Sequence, residues 1–426
     1  MDSYKIALLG LGNVGGAVAR LLAFTRDECA VRAGRSIEVT RIVVQDASRP
    51  RDLPADLPGD PEICEDPDKA IEDPQIDAIV ELVGGTDLPC QWIRRALENG
   101  KDVVTANKAV LAVHGEELFQ VAADRGRNLY YEASVAAAVP ILQVLQQGIP
   151  AGPVDRLTGI LNGTCNFILS RMEHLSFDDS VAEAQSAGLA EADPTLDING
   201  MDSAHKLALL AMILLGCAVP IEKLRIEGIV GLTSYDIEFG KQHDLHLKLI
   251  GMLRRNGEGT SIGVMPCFLP SSHPLSSVRD EDNAVLLEAE PFGSLVLQGK
   301  GAGGMPTAGS VVADILRAAR GDAIIYPVSG PIEKIMDPGE SPARHYLRLE
   351  VPDRPGVLAR LAGALASQEV GIAALDQPDN VDSVNHQVPI RILTHSVATT
   401  DLDRALSNLD SDLRAISEPI RIRIEE

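Results

Sequence analysis

Apolar and polar positions alternate in blocks along the first 150 residues. Lys5–Leu9 is a short apolar run ending at Gly10, and Val14 to Phe24 follows it with the spacing of an amphipathic helix. Glu38–Val44 and Ala78–Val83 are β-branched runs, the second ending in Gly84-Gly85. Trp92–Glu98 reads as a helix that stops at Asn99-Gly100, and Asp102–Thr105 is strand-like again. A polar insertion, Thr25–Ser36, delays the second strand. Strands alternating with helices predict βαβ units and a parallel sheet.

The pattern changes after about residue 150. Helical spacing recurs around Ile168–Met172, Asp179–Ala187 and Gly200–Leu215, and Ala284–Glu288 and Ser294–Gln298 are strand-like, which predicts a mixed α+β domain. Ala308–Arg320 reads as a helix returning to the first domain. Residues 336–344 are rich in Pro, Gly and Ser and predict a linker. Beyond it, strand-like His345–Val351, helical Val357–Ala366, strand-like Gln387–Leu393, helical Asp401–Leu409 and strand-like Pro419–Ile424 make a βαββαβ-sized appendage. The expected domains are therefore 1–150 (with helix 308–320), 151–335 and 345–426. Truncation near residue 340 is expected to leave the first two folded.

Composition narrows the class. The chain has 426 residues, with 38 Lys and Arg against 61 Asp and Glu, for a net charge of −23. A field of that sign argues against DNA or RNA as partner. The six cysteines are scattered without a CxxC pair, which fits a reducing compartment and neither a disulfide framework nor a zinc ribbon. Met1–Lys5 leads straight into a strand-like segment with no signal-type region. The mid-chain apolar stretch Leu207–Ile221 is shorter than the roughly 20 residues of a membrane span. The expectation is a cytoplasmic protein with no membrane association.

Two stretches carry chemistry. Gly10-Leu-Gly12-Asn13-Val14-Gly15 lies between a predicted strand and a predicted helix. That order suits a dinucleotide: a tight turn at Gly10, backbone access at Gly12, close helix packing at Gly15, and free N–H groups facing the pyrophosphate. NAD and NADP are not distinguished, because Asp46 could take a ribose hydroxyl while Arg49 or Arg51 could take a 2′-phosphate. The second stretch runs from Ala184 to Lys206. Glu191 and Asp197 sit in a Pro-containing loop, and Asp202 and Lys206 are four apart on the following helix, hence on one face. His205 points about 100° away and reads as a packing or surface residue.

The run A-x3-G-L-x-E-x-D-P-x2-D-I-x-G-x-D-x3-K resembles the signature of homoserine dehydrogenase. The similarity extends to Val104-Thr-Ala-Asn-Lys108, Glu132-Ala-Ser-Val135, Gly159-Ile-Leu-Asn-Gly163 and Gly301-Ala-Gly-Gly-Met-Pro-Thr307, and so spans the first 330 residues. The resemblance implies an α/β fold with an N-terminal Rossmann domain followed by an α+β catalytic and dimerisation domain. It implies NADP- or NAD-dependent interconversion of L-aspartate 4-semialdehyde and L-homoserine, in threonine, methionine and isoleucine biosynthesis, by a homodimer or homotetramer. Lys206 would then be the proton donor or cationic stabiliser, Asp202 would orient it, and Lys108 would be the alternative donor. Glu191, Asp197 and Asp202 would bind substrate. Gly10, Gly12, Asn13, Val14, Gly15, Gly84, Thr105, Lys108, Gly188 and Gly303 would bind cofactor.

The same resemblance implies a monovalent cation (Na+ or K+) at Glu132, Val135, Ala137 and Val139. This sequence has Ala136-Ala137-Ala138 where glycines are usual, and carbonyl ligands are expected to survive that change only where φ stays negative. Asn162-Gly-Thr-Cys-Asn-Phe167 departs from the commoner Thr-Thr-Asn-Tyr, and Cys165 reads as a small buried side chain. Val351-Pro-Asp-Arg-Pro-Gly356-Val-Leu358 resembles the turn of a ferredoxin-like ACT domain, which implies a threonine effector, with a ligand-free dimerisation module as the other reading. Two rival functions stand beside the dehydrogenase: another Rossmann oxidoreductase acting on an amino-acid aldehyde or imine, and a catalytically silent binding protein. Joint retention of Lys206, Asp202 and Glu191 argues against silence.

Overall fold

The apolar runs of the first 150 residues become strands β1 (Tyr4–Leu9), β2 (Ile37–Val43), β3 (Glu62–Cys64), β4 (Ala78–Glu81), β5 (Asp102–Thr105) and β6 (Leu129–Tyr130) in the computed structural model. It describes residues 3–148, 153–290, 293–326, 334–377, 387–409 and 418–425. The six strands pair in parallel in the order β3-β2-β1-β4-β5-β6. All four β4 residues are buried, as a sheet covered on both faces requires. The strand order reverses between β1 and β4, which opens a crevice at their carboxyl ends.

Helix Asn13–Phe24 buries Ala17, Val18 and Leu22, and helix Gly304–Arg320 buries Val311, Ile315 and Ala318, all in one core with Ile6, Leu8, Val39 and Val80. Each fully buried Val, Leu or Ile contributes about 1.5–3 kcal/mol, so this core anchors the helix that starts at the glycine motif. The polar insertion is not a loop. Arg26–Ala33 is a helix whose buried face is only Cys29 and Ala33, four residues apart, and it ends at Gly34 in the left-handed conformation.

The chain divides into two compact units. The first comprises residues 1–155, 205–223 and 281–333; the second comprises 156–204, 224–280 and 334–426. The first unit also holds an antiparallel hairpin, Asp282–Ala289 with Gly293–Lys300, which is not part of the six-stranded parallel sheet. In the second, Arg156–Ile160 pairs with Leu245–Asn256, which pairs with Gly259–Pro270 over its whole length.

The C-terminal strands extend that sheet. Arg344–Pro352, Ile372–Asp376, Gln387–Thr394 and Ile420–Ile424 take the order fourth-first-third-second. Helices Val357–Ala366 and Thr399–Ser407 pack over them through Leu361, Leu365, Leu402 and Ala405. This is the ferredoxin-like βαββαβ arrangement.

The linker expected at 336–344 is ordered and paired instead. Ile335–Met336 lies along Thr260–Ser261, and Pro338–Glu340 forms a single turn. The fourth ferredoxin-like strand runs parallel to Gly259–Pro270, with Cys267 against Arg423 and Phe268 against Ile424. Asp236, fully buried at the start of helix Ser234–Gln242, accepts from Arg348 Nε and Tyr346 Oη, both at 2.8 Å. Buried Glu425 pairs with Arg254 and Arg423. Residues 345–426 are therefore packed into the second unit rather than hung on a tether, which speaks against a clean cut near 340. Among the described residues no helix is long and apolar enough to cross a membrane.

Candidate active site

The glycine motif folds as its spacing demands. Gly10 leaves β1 at φ +99°, and a Cβ there would lie 2.8 Å from the Leu82 carbonyl oxygen. A Cβ on Gly15 would lie 2.3 Å from the Gly10 oxygen, so the helix can approach the turn only as glycine. Gly12 is the N-cap of helix Asn13–Phe24; it offers no side-chain cap, and the first turn holds no acid. Its first N–H groups are thus left for an anion. A Cβ on Gly12 or Gly84 would meet nothing within 4 Å, so both backbones border open space. Those features fit a dinucleotide pyrophosphate.

The rest of the cradle is held by a buried relay. Glu81, at the end of β4, accepts from Val83 N (2.8 Å) and Gly84 N (3.3 Å) with one oxygen and from Thr105 Oγ1 (2.7 Å) with the other. Thr105 Oγ1 accepts from Asn107 N at 3.0 Å, and Asn107 Nδ2 donates to the Gly85 carbonyl at 2.8 Å. Asn107 caps helix Lys108–Arg125, which fixes Lys108 as its first residue. Gly303 precedes helix Gly304–Arg320, where a Cβ on Gly304 would sit 2.7 Å from Asn13 Oδ1. Gly10, Gly12, Asn13, Val14, Gly15, Gly84, Thr105, Lys108 and Gly303 all belong to the first unit.

After β2, Asp46 accepts the N–H (3.0 Å) and hydroxyl (2.6 Å) of Ser48, which hold its carboxyl below the usual range. Arg51 donates to the carbonyls of Arg49 and Asp46. These groups brace their own loop.

The acids lie in the second unit. Asn162 ends the segment after Arg156–Ile160 and caps helix Gly163–Arg171 by accepting from Cys165 N at 2.7 Å. Its amide donates to Asp197 Oδ1 at 2.7 Å and to Asp202 Oδ2 at 2.8 Å, drawing two carboxylates together. The sequence reading missed Asn162; its only signal was membership of Gly159–Gly163. Cys165 is fully buried and donates its thiol to the Asp197 carbonyl at 3.2 Å, so it also steadies this loop.

Gly228 completes the clamp. A Cβ there would fall 2.1 Å from the Ile198 oxygen, and Ile229 N donates to that same oxygen at 2.8 Å. Asp202 (4 % exposed) lies in the first turn of helix Met201–Leu215, and Lys206 (7 % exposed) lies one turn on, where the chain enters the first unit. Glu191 and Gly188 are exposed, in the loop that Gln185 Nε2 fastens through the carbonyls of Glu191 and Ala192.

The segment 132–139 lies in the first unit. Glu132 is buried, and its two oxygens accept from Leu142 N and Gln143 N, each at 2.8 Å. Burial and the nearby Asp314 carboxylate push its pKa up to about 8. Ala137 sits at φ +40°, so the negative φ on which carbonyl ligation was made to depend is not met there. Ser310 Oγ donates to its carbonyl, and Ala138 N and Val139 N donate to the Lys300 and Ala136 oxygens. These contacts keep the left-handed turn a glycine would make, at a cost of about 1–2 kcal/mol for an L-residue.

A parallel six-stranded sheet, a glycine turn at a helix start, and Asp202 and Lys206 buried one turn apart are what a nicotinamide-dependent oxidoreductase requires. A family model described as homoserine dehydrogenase matches residues 140–316, and one described as its NAD-binding domain matches residues 10–132. A homoserine dehydrogenase of Pseudomonas aeruginosa is 38 % identical across 100 % of both chains. The solved homoserine dehydrogenase of Thiobacillus denitrificans superposes with a TM-score of 0.90 at 36 % identity, covering 100 % of this chain and 99 % of the other. A hyperthermophilic archaeal homoserine dehydrogenase solved with NADPH gives 0.64 at 27 % identity, over 76 % of this chain and 99 % of that one. The chain belongs to the homoserine dehydrogenase family and is an NAD(P)-dependent oxidoreductase acting on a CH–OH group.

Proposed function

We propose that Lys206 is the proton-transfer group for the interconversion of L-homoserine and L-aspartate 4-semialdehyde. The observation that carries this is a lysine buried one turn beyond Asp202, whose carboxylate is itself fixed by Asn162. When bound, the nicotinamide supplies or accepts the hydride at C4. In the reducing direction the C4 oxygen gains negative charge, and the Lys206 ammonium donates a proton to it. In the oxidising direction the neutral amine takes the hydroxyl proton back. Asp202 orients Lys206, while Glu191 and Asp197 hold the substrate's α-ammonium and hydroxyl by charge-assisted hydrogen bonds. By the resemblance, Lys108 would serve as a second cation toward the nicotinamide, and Gly188 would be a further backbone position toward the cofactor.

The division of labour follows the segments: dinucleotide binding by 1–150 with helix 308–320, catalysis and dimer or tetramer assembly by 151–335, regulation by 345–426. The assembly rests on the resemblance. A cytoplasmic setting is supported by six cysteines that are all unpaired thiols. For a monovalent cation, the Glu132 carboxylate buried next to a second one at Asp314 supports the reading, with carbonyls of Val135, Ala137 and Val139 as the further ligands the resemblance implies, while the positive φ of Ala137 counts against it. The ACT reading, with threonine as effector, is supported by a cavity of about 320 Å³ at the turn, lined by Asp353, Arg354, Gly356 and Gln377.

Initial rates of homoserine oxidation with NAD+ and with NADP+ test the reaction. Homoserine-dependent reduction of either coenzyme is expected, and none with either would refute it. Adding threonine to the same assay should inhibit, and Asp353→Ala should relieve the inhibition by the 5- to 150-fold typical of an allosteric coupling. Equal inhibition of both forms would move the effector to the active site.

A further inference from the structure

We propose that Cys90, His114 and Glu117 form a zinc site between helices Asp87–Glu98 and Lys108–Arg125, made of residues other than those assigned to the dehydrogenase reaction. Cys90 lies in the first turn of helix Asp87–Glu98, while His114 and Glu117 are three residues apart, hence on one face, in helix Lys108–Arg125. One ligand atom from each residue lies within 4.8 Å of the other two, the one such group among the described residues. Cys90 is buried, and the His114 Nε2 atom is buried with no hydrogen-bond partner among the described residues. His114 Nε2, which has no partner among the described residues, joins the buried Cys90 thiol and the exposed Glu117 carboxylate in a donor set suited to a cation.

Thiolate, imidazole and carboxylate together select Zn2+ over Mg2+ or Ca2+, which prefer oxygen alone. Three protein ligands leave a fourth tetrahedral position for water. On binding, the Cys90 S–H proton passes to solvent and the thiolate sulfur bonds the metal. Arg94, one turn along from Cys90, now pairs with Glu117 and lies beside the thiol, so it is the cation that zinc replaces. The two helices are already joined at their starts, where Asn107 Nδ2 donates to the Gly85 carbonyl. Zinc would add a second tie further along both.

The test uses the full chain freed of metal by chelation, with Co2+ as spectroscopic probe and Zn2+ as competitor. One equivalent of Co2+ should give a thiolate-to-cobalt charge-transfer band that Zn2+ abolishes. Cys90→Ser should lose the band and weaken zinc binding by at least about 100-fold, beyond what loss of an outer-shell partner costs. His114→Gln should weaken it similarly, and Arg94→Gln should bind at least as tightly as the parent. Coenzyme binding by each variant checks that it is folded; should Cys90→Ser fail to fold, His114→Gln decides alone. No charge-transfer band at excess Co2+, or undiminished zinc binding in the Cys90 or His114 variant, overturns the site.

Discussion

Asn162 sets the geometry of the acidic face, because one amide group holds Asp197 and Asp202 at 2.7 and 2.8 Å. Asn162→Ala would leave two carboxylates facing one another without their shared donor and remove the cap of helix Gly163–Arg171. The expected outcome is a KM for homoserine raised about tenfold or more with the coenzyme KM unchanged, since an unpaired buried acceptor costs about 1–3 kcal/mol. Steady-state kinetics in both substrates check this, and equal rises in both KM values would mean a general loss of structure. At this scale the sequence was informative where requirements are local. Gly10 and Gly15 announce a turn because only glycine fits there, and Glu191 to Lys206 is one continuous run. Asn162 was not legible, because nothing linear connects it to carboxylates 35 and 40 residues later.

Helices and strands were legible where one face is apolar and the other is not. Val357–Ala366 was read to the residue, and Ala308–Arg320 lacked only its first turn. Helix Arg26–Ala33 escaped because a two-residue buried face gives almost no periodicity. Hairpin Leu245–Pro270 escaped for the opposite reason: both strands are buried on both faces over most of their length, so no alternation marks them. His345, on the first ferredoxin-like strand, gives this element a pH response. Burial, with Arg423 and Arg421 nearby, pushes its pKa down to about 3, and its Nε2 lies 2.9 Å from Thr399 Oγ1. The folded state therefore requires the neutral ring. Its contribution is complete above an unfolded value near 6.5 and is lost as pH falls towards 3, by at most about 1.4 kcal/mol per pH unit. Urea midpoints of the parent and of His345→Gln should converge between about pH 7 and pH 5. A constant gap would remove His345 from the acid response.

Across the whole molecule, the three-part reading of the sequence missed how the C-terminal segment is built in. Strand pairing at Cys267 and Phe268, the buried Asp236–Arg348 pair and the Glu425 cluster join residues more than 100 apart, and no linear pattern reports them. Removing residues 341–426 would leave Asp236 buried without Arg348 and expose a strand edge, and breaking one buried pair alone costs about 3–5 kcal/mol. The truncated chain should be insoluble or unfolded by circular dichroism. A folded, active truncation would contradict the two-unit organisation.

The central claim is that Lys206 moves the proton, and kcat of Lys206→Ala beside its coenzyme affinity tests it most directly. The account predicts kcat lower by about 100-fold or more with coenzyme affinity unchanged. A variant that keeps more than about a tenth of parental kcat would contradict it and pass the role to Lys108.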